Sequence, residues 1–400
     1  MKNINKYSFA AVLAGALLLG LPALSQNDEI PGVGEPGGPG RVLNPAEMEQ
    51  WLRGRALFDR PMHRTRGLGF PEMNADSCRA CHQDPAVGGA GGLELNVSRF
   101  AFDNNGAGPF IDLPGGQGLS KLYPPWVLDP TVTPPNDPAT NETGREEYDP
   151  EVADVFEQRQ TPSILGGGLI DGIPDLEILQ NEDPFDSNFD GIFGVARMVS
   201  VGVGPDEVGR FGWKAQVPHL EDFTRDAMGG ELGMTTPADG RGFAFTTDSD
   251  SVADPELTLQ EVADVTFFMA ELGPPLRTFS ADPDVAAGEG LFNTIGCAIC
   301  HIPELQGASG PVPLYSDLLL HNVMPAGFRG MVEPGAGAGF FKTPPLWGIK
   351  DTAPYMHDGR GETLHGVILR HDGEAAAVRA AYQALPSADQ ARLIAFLNDL

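Results

Sequence analysis

All four cysteines of this 400-residue chain fall into two copies of one pattern, Cys78-Arg79-Ala80-Cys81-His82 and Cys297-Ala298-Ile299-Cys300-His301. The chemistry that needs this spacing is covalent. Two thiols add to the two vinyl groups of one haem, and the next residue, a histidine, is held beneath the iron as its proximal ligand. The direct reading is two covalently bound haems c, attached at Cys78, Cys81, Cys297 and Cys300, with His82 and His301 as iron ligands. Vicinal disulfide loops, or a zinc site built from Cys and His, use the same residue types. Two complete copies with no cysteine left over favour haem. A separate set of oxygen donors, Asp186, Asn188 and Asp190 ahead of Gly191, fits the first half of a calcium loop, in which alternate side chains converge and glycine permits the sharp turn. Position 12 of that loop is Arg197 where a bidentate Glu is expected, so it is no EF-hand, and an Asx-rich turn accounts for the same residues.

These groups need elements to position them, and the sequence supplies such elements twice. Gly54-Arg55-Ala56-Leu57-Phe58 precedes the first haem motif as Gly288-Glu289-Gly290-Leu291-Phe292 precedes the second, with 20 residues from Phe to Cys in one copy and 5 in the other. Downstream, Gln260 to Leu272 matches Ala388 to Leu400, setting Phe268 over Phe396 and Leu272 over Leu400. Both stretches read as amphipathic helices opened by capping boxes, Thr258 with Glu261 and Ser387 with Gln390. A third echo sets Arg159-Gln160-Thr161-Pro162 against Phe341-Lys342-Thr343-Pro344. A helix before the haem, a loop over it and a closing helix is how a cytochrome c domain encloses its cofactor. The expected fold class is mainly α, with two cytochrome c-like domains, long irregular loops and a few short strands. The first domain spans 26–277 with inserted loops and the second 278–400, divided where Gly273-Pro274-Pro275 ends the first closing helix. Residues 103–160, rich in Pro, Asn and Asp, read as surface loop.

At the N-terminus Lys2 and Lys6 precede an apolar run, Phe9 to Leu21, followed by the small residues Ala23 and Ser25. Residues 1–25 therefore read as a signal peptide, which implies export to the periplasm. No later segment reaches the ~18 apolar residues a span needs, so no membrane span is expected. Lys+Arg 26 against Asp+Glu 55 gives a net charge of −29, a surface that repels nucleic acid and anionic lipid and attracts a basic partner. Solubility alone also accounts for such acidity.

Phe341 to Gly359, FKTPPLWGIKDTAPYMHDG, resembles the bacterial di-haem cytochrome c peroxidase superfamily. Gly88-Gly89 after the first haem motif, Gln160-Thr161-Pro162, Gly209 to Ala215 (GRFGWKA) and Glu231 to Met234 (ELGM) make the chain more similar to the di-haem oxidoreductases within it. The resemblance implies a peroxidase-like enzyme. Electrons from a small redox protein or other donor enter at the C-terminal haem and are spent on a peroxide, or a small oxidisable substrate, at the N-terminal haem. It also implies calcium near the domain interface. It puts the sixth ligand of the second haem at His371, in the helix after Pro354-Tyr355-x-His357-x-Gly359. His321 is the substitute candidate, and a solvated helix-end histidine beside the C-terminal dipole is the structural alternative for His371. No histidine lies between His82 and His219, so the first haem keeps an open face unless His63 or Met73 folds over it. Trp213, with Leu220 seven residues on, matches the tryptophan that lies between the haems and carries electrons. Glu231 lines up with the glutamate that takes a proton from peroxide and returns it to the departing oxygen. Phe223 stands where the peroxidases place Gln. A di-haem electron-transfer cytochrome without peroxidase activity is the alternative, and a haem-bearing binding or sensor module a third. A high-spin first iron that reacts with peroxide separates the enzyme from both.

Overall fold

The computed structural model describes residues 30–69, 74–101, 119–121, 155–248 and 250–400. Asn44 opens α1 (Pro45–Asp59) through a capping box with Glu47, and Pro45 occupies the first turn, where a missing N–H costs nothing. The first haem motif is itself a one-turn helix, α2 (Cys78–Cys81). A three-stranded antiparallel sheet of β1 (Val97–Ala101), β2 (Leu119–Lys121) and β3 (Val155–Arg159) has the order β2-β1-β3. Two short helices, α3 (Gly167–Asp171) and α4 (Asp175–Leu179), and the strand pair β4 (Met198–Val199) and β5 (Glu207–Val208) lead to α5 (Leu220–Leu232) and α6 (Leu259–Glu271). The second half runs α7 (Pro283–Thr294), the hairpin β6 (Leu305–Gly307) with β7 (Gly310–Val312), and the pair β8 (Leu320–Asn322) with β9 (Phe340–Lys342). It closes with α8 (Leu364–Arg370), α9 (Ala376–Ala384) and α10 (Ser387–Leu397). The described chain is thus helical with short strands in small sheets.

The repeat seen in the sequence is a repeat in packing. Helix α1 lies on α6 as α7 lies on α10, and each crossing is made at a glycine. A Cβ on Gly54 would come 2.0 Å from the Asp264 carbonyl oxygen and 2.7 Å from Phe268 Cβ; on Gly288 it would come 2.0 Å from the Arg392 carbonyl and 2.8 Å from Phe396 Cβ. No other residue lets the helices approach so closely. The aromatic wedge beside each crossing repeats too. Phe58 lies 5.2 Å from Phe268 and 6.2 Å from the His82 ring, and Phe292 lies 5.3 Å from Phe396 and 6.4 Å from the His301 ring. Around these wedges gather two apolar cores, one with Trp51, Met228 and Val265, the other with Tyr315, Tyr382 and Leu393. A third, built on Ile173, Ile178, Leu314 and Leu318, joins elements from both halves of the chain.

Two expectations need correction. The capping box at Thr258 forms, but Ser387 does not cap α10: Pro386 takes that place, Ser387 becomes the first helical residue, and the Gln390 amide donates instead to the Tyr382 carbonyl at 3.0 Å. The reading of 103–160 as surface loop fails at its end, because Val155–Arg159 is a strand with Glu157 and Arg159 buried. Apart from β2, β3 and Gln160 the rest of that stretch from 103 lies outside the described residues, as do the signal-peptide reading of 1–25 and Met73. Among the described residues no helix is long and apolar enough to cross a membrane.

Candidate functional site

At the second haem motif Gly296, in the left-handed conformation, starts a 3-10 turn over Cys297–Ile299, and His301 follows it. His301 Nδ1 lies 3.0 Å from the Tyr315 carbonyl oxygen. A carbonyl only accepts, so Nδ1 carries the proton and Nε2 keeps its lone pair. His371, the residue that ends α8, is fixed in the same way, its Nδ1 donating to the Val367 carbonyl at 2.8 Å. Both rings line one largely apolar cavity of about 310 Å³ together with Cys297, Cys300, Leu364 and Val367, a volume within the ~300–1,000 Å³ range of cofactor sites. Burial pushes His301 down to about 4, the charge of His371 adding to the effect, and burial likewise lowers His371. Neutral imidazoles with Nδ1–H tied to a carbonyl are the form in which histidine binds a metal. Burial raises the Cys297 thiol to about 12. The donor set fits a haem, which Cys297 and Cys300 would hold through thioethers and for whose iron His301 and His371 would supply imidazole nitrogens.

At the first motif His82 repeats this state, Nδ1 lying 3.2 Å from the Gly89 carbonyl and burial pushing it down to about 4. Phe223, Asp226, Ala227, Gly230 and Glu231 recur at helical spacing along one side of α5 and are all half-buried, whereas Met228 and Leu232 on the other side are buried in the core. A Cβ on Gly230 would meet nothing within 4 Å among the described residues. Burial raises Cys81 to about 11, and the carboxylate of Glu231 adds to it, as it does for Cys78, which burial raises to about 12. Glu231 is therefore close enough to act electrostatically on both thiols. Asn74 fixes it twice, through Nδ2 to Oε2 at 2.7 Å and through its backbone N–H to the Glu231 carbonyl at 2.8 Å. Sequence reasoning missed Asp226. Burial pushes it up to about 6, with Arg99 opposing and Glu231 and Glu333 adding to the rise. The only signal that could have found it is its place five residues before Glu231 on the same side of a helix.

Trp213 lies where the two halves meet. Its indole Nε1 donates to the Gln160 carbonyl at 2.8 Å, and its own carbonyl accepts from the Lys342 N–H at 2.8 Å. Gln160 and Lys342 are the matched positions of the Q-T-P and K-T-P echoes, so Trp213 is bonded to both copies of one motif, by its ring to the first and by its backbone to the second. The neighbouring Lys214 ammonium donates to the carbonyls of Gly337, Ala338 and Phe340 at 2.8, 2.8 and 3.0 Å, which pins the Trp213 loop across the seam.

Residues 151–400 match the family described as "Di-haem oxidoreductase, putative peroxidase". The chain belongs to this di-haem oxidoreductase family. The match includes Trp213, Glu231, the second haem motif and His371, and the first motif, upstream of it, is tied to the second by the packing repeat. Among solved structures, a MauG-like protein associated with microbial copper homeostasis is similar at 17% identity, covering 94% of this chain and 95% of that one with a TM-score of 0.43. The hydrazine synthase of Kuenenia stuttgartiensis is similar at 16% identity, covering 95% of this chain and 100% of that one with a TM-score of 0.39. No curated protein matches.

In this di-haem oxidoreductase several other candidate residues are engaged elsewhere. His321 has Nε2 2.8 Å from Asp317 Oδ2 and Nδ1 3.0 Å from Glu374 Oε2. Although burial opposes it, those bonds raise the ring to about 12, so it carries a proton on each nitrogen and has no lone pair for iron. His63 is exposed, and its Nδ1 accepts from the Thr65 N–H at 3.2 Å. His219 bridges Asp171 and Glu207, each at 3.1 Å, and His365 bonds the Tyr382 hydroxyl at 2.8 Å. In the Asp186–Gly191 loop, Asp186 Oδ1 accepts from the N–H groups of Asp190 and Gly191 at 2.8 and 3.1 Å, and Asn188 Oδ1 accepts from Asp190 at 3.0 Å. These are Asx turns, and a cation there would compete with the loop's own amides.

Proposed function

We propose that this di-haem oxidoreductase is a peroxidase-like enzyme, exported to the periplasm through residues 1–25 and built as two cytochrome c-like domains, 26–277 and 278–400. Cys78 and Cys81 with His82, and Cys297 and Cys300 with His301, would each hold one covalent haem c, and His371 would complete the coordination of the second iron. When bound, the haem irons supply the redox chemistry, electrons received at the second site being spent on a peroxide at the first. The chain's own residues supply positioning and protons. Glu231 accepts a proton from the incoming peroxide at a carboxylate oxygen and returns it to the departing oxygen, which leaves as water. Asp226, on the same side of α5, is a second proton source. Trp213, bonded to both halves, is the aromatic group between the two sites.

One contrast carries this reading. The second site brings two imidazoles, those of His301 and His371, to one cavity, the donor set of a saturated electron-handling centre, whereas the first motif has the Glu231 carboxylate acting on its two thiols. Electron paramagnetic resonance and absorption spectra of the holo-protein test it. One high-spin and one low-spin ferric centre are expected, with only the high-spin signal responding to hydrogen peroxide, and His371→Ala should add a second high-spin signal. Both haems should stay with the polypeptide on denaturing electrophoresis. Two low-spin centres inert to peroxide would leave the electron-transfer cytochrome instead.

A further inference from the structure

Three phenylalanines between Glu182 and Gly194 have no place in any core. Phe185 and Phe189 are 86% and 89% exposed, Phe193 is 41% exposed, and Leu176 just before them is 74% exposed. Large apolar side chains gathered in water and rimmed by charge mark a contact surface. Along this stretch of chain the charge has one sign. No Lys, Arg or His lies between Arg159 and Arg197, and Glu182, Asp183, Asp186 and Asp190 stand among the phenylalanines. The loop that presents them is internally ordered. Both carboxylate oxygens of Asp183 accept from the Ser187 N–H at 2.8 and 2.9 Å, and Asp186 and Asn188 cap the turn that follows.

The loop is also fastened to the second haem motif. The Phe193 N–H donates to Glu374 Oε2 at 2.8 Å, and a Cβ on Gly194 would lie 2.9 Å from the His321 ring. Val195 and Leu320 exchange backbone bonds at 3.1 and 2.8 Å. His321 in turn lies 3.0 Å from Glu374 and 3.7 Å from Cys300 Sγ. The half-exposed Phe193 is thus a few contacts from a haem attachment point.

We propose that this acidic, phenylalanine-bearing loop is the docking surface for the protein electron donor, a small redox protein whose apolar patch around its redox centre is ringed by lysines. The proposal rests on the second site being the one that receives electrons, and it names the partner for that site. A net charge of −29 steers a basic partner toward the molecule at long range. Close by, the carboxylates orient it, and the phenylalanines supply the apolar centre that a specific contact needs. A lysine ring meets its complement here, whereas an acidic carrier meets repulsion.

The test uses holo-protein and a reduced, lysine-rich c-type cytochrome as probe, with an acidic c-type cytochrome as control. Binding is measured by calorimetry at low and at raised salt, for the wild type and for the Phe185→Ser, Phe189→Ser double variant, whose side chains are in water and leave the core untouched. Expected are binding of the basic cytochrome that weakens with salt, a loss of at least roughly tenfold in affinity in the variant, and unchanged peroxide turnover when a small-molecule reductant replaces the cytochrome. Equal affinity in the variant, no binding by the wild type at low salt, or equal binding of the acidic cytochrome would overturn the proposal. So would wild-type dimers in sedimentation that the double variant abolishes, because a second copy of the chain would then own the surface. Absence of peroxide turnover even with the small reductant would sink the enzymatic reading while leaving the docking surface to be decided by the binding data.

Discussion

Glu231 and Asp226 share one side of α5, and the different neighbours they meet give each its own test. Glu231 acts electrostatically on the Cys78 and Cys81 thiols and is fixed by Asn74 at 2.7 Å. Glu231→Gln keeps that bond's shape and removes the proton acceptor, so peroxide turnover should fall by ~10²–10⁴-fold while spin states and reduction potentials stay as they were. Asp226 is held up at about 6 chiefly by burial, so it carries a proton below that pH and loses it above. If it feeds protons to the reaction, wild-type turnover should decline as pH rises through about 6, and Asp226→Asn should show a lower, flat rate across the same window. An unchanged profile in the variant would assign the proton work to Glu231 alone. The difference in legibility between the two acids is physical. Glu231 stands in a recognisable E-L-G-M string, whereas Asp226 is one of 55 acidic residues and gains meaning only once the limits of α5 fix which residues share its side of the helix.

The element most readable from the sequence was the helix pair that brackets each haem motif. Its signal was doubled, a G-x-x-x-F string before the motif and a matched amphipathic stretch after it. The glycine's job was not readable, because Gly288 and Gly290 look alike in sequence and only the crossing of α7 with α10 tells them apart. Alanine at Gly288 would drive a Cβ to 2.0 Å from the Arg392 carbonyl, while the same change at Gly290 meets nothing within 4 Å. Gly288→Ala should therefore cost ~1–3 kcal/mol through forced separation of the helices, less the gain in helix propensity. Gly290→Ala should stabilise by up to ~1 kcal/mol. Thermal unfolding of the two variants decides this, and equal shifts of the same sign would mean the helices separate freely. The Ser387 cap failed for a similar reason, since Pro386 can take the capping place itself and nothing in S-x-x-Q says which of the two will.

At the scale of the molecule, a charge cluster helps to join the halves, and one of its members, Arg159, lay in a stretch read as loop. Glu333, in the loop before β9, accepts from Arg99 at 2.9 Å, Arg159 at 2.7 Å and Arg197 at 2.8 Å, so one carboxylate of the second half ties down β1, β3 and the segment leading to β4. Composition could not show this, because the acids and arginines involved are far apart in the chain and 103–160 reads as a loop rich in Pro, Asn and Asp. Burial alone would raise the Glu333 carboxyl, but Arg159, Arg99 and Arg197 overcome that and hold it far below its ordinary 4.5. A carboxyl depressed on folding binds its proton more readily in the unfolded chain. Its stabilisation is therefore complete above about 4.5 and drains away as pH falls below that value. Glu333→Gln keeps the volume but leaves three guanidinium groups against a neutral amide, and the loss of one partner from a buried cluster costs ~3–5 kcal/mol. The expected result is a variant much less stable than the wild type at pH 7, with the gap between them narrowing as both are unfolded at successively lower pH. A gap that stays constant down to pH 4 would mean that the packing of β1 and β3, and not the charge on Glu333, holds the two halves together.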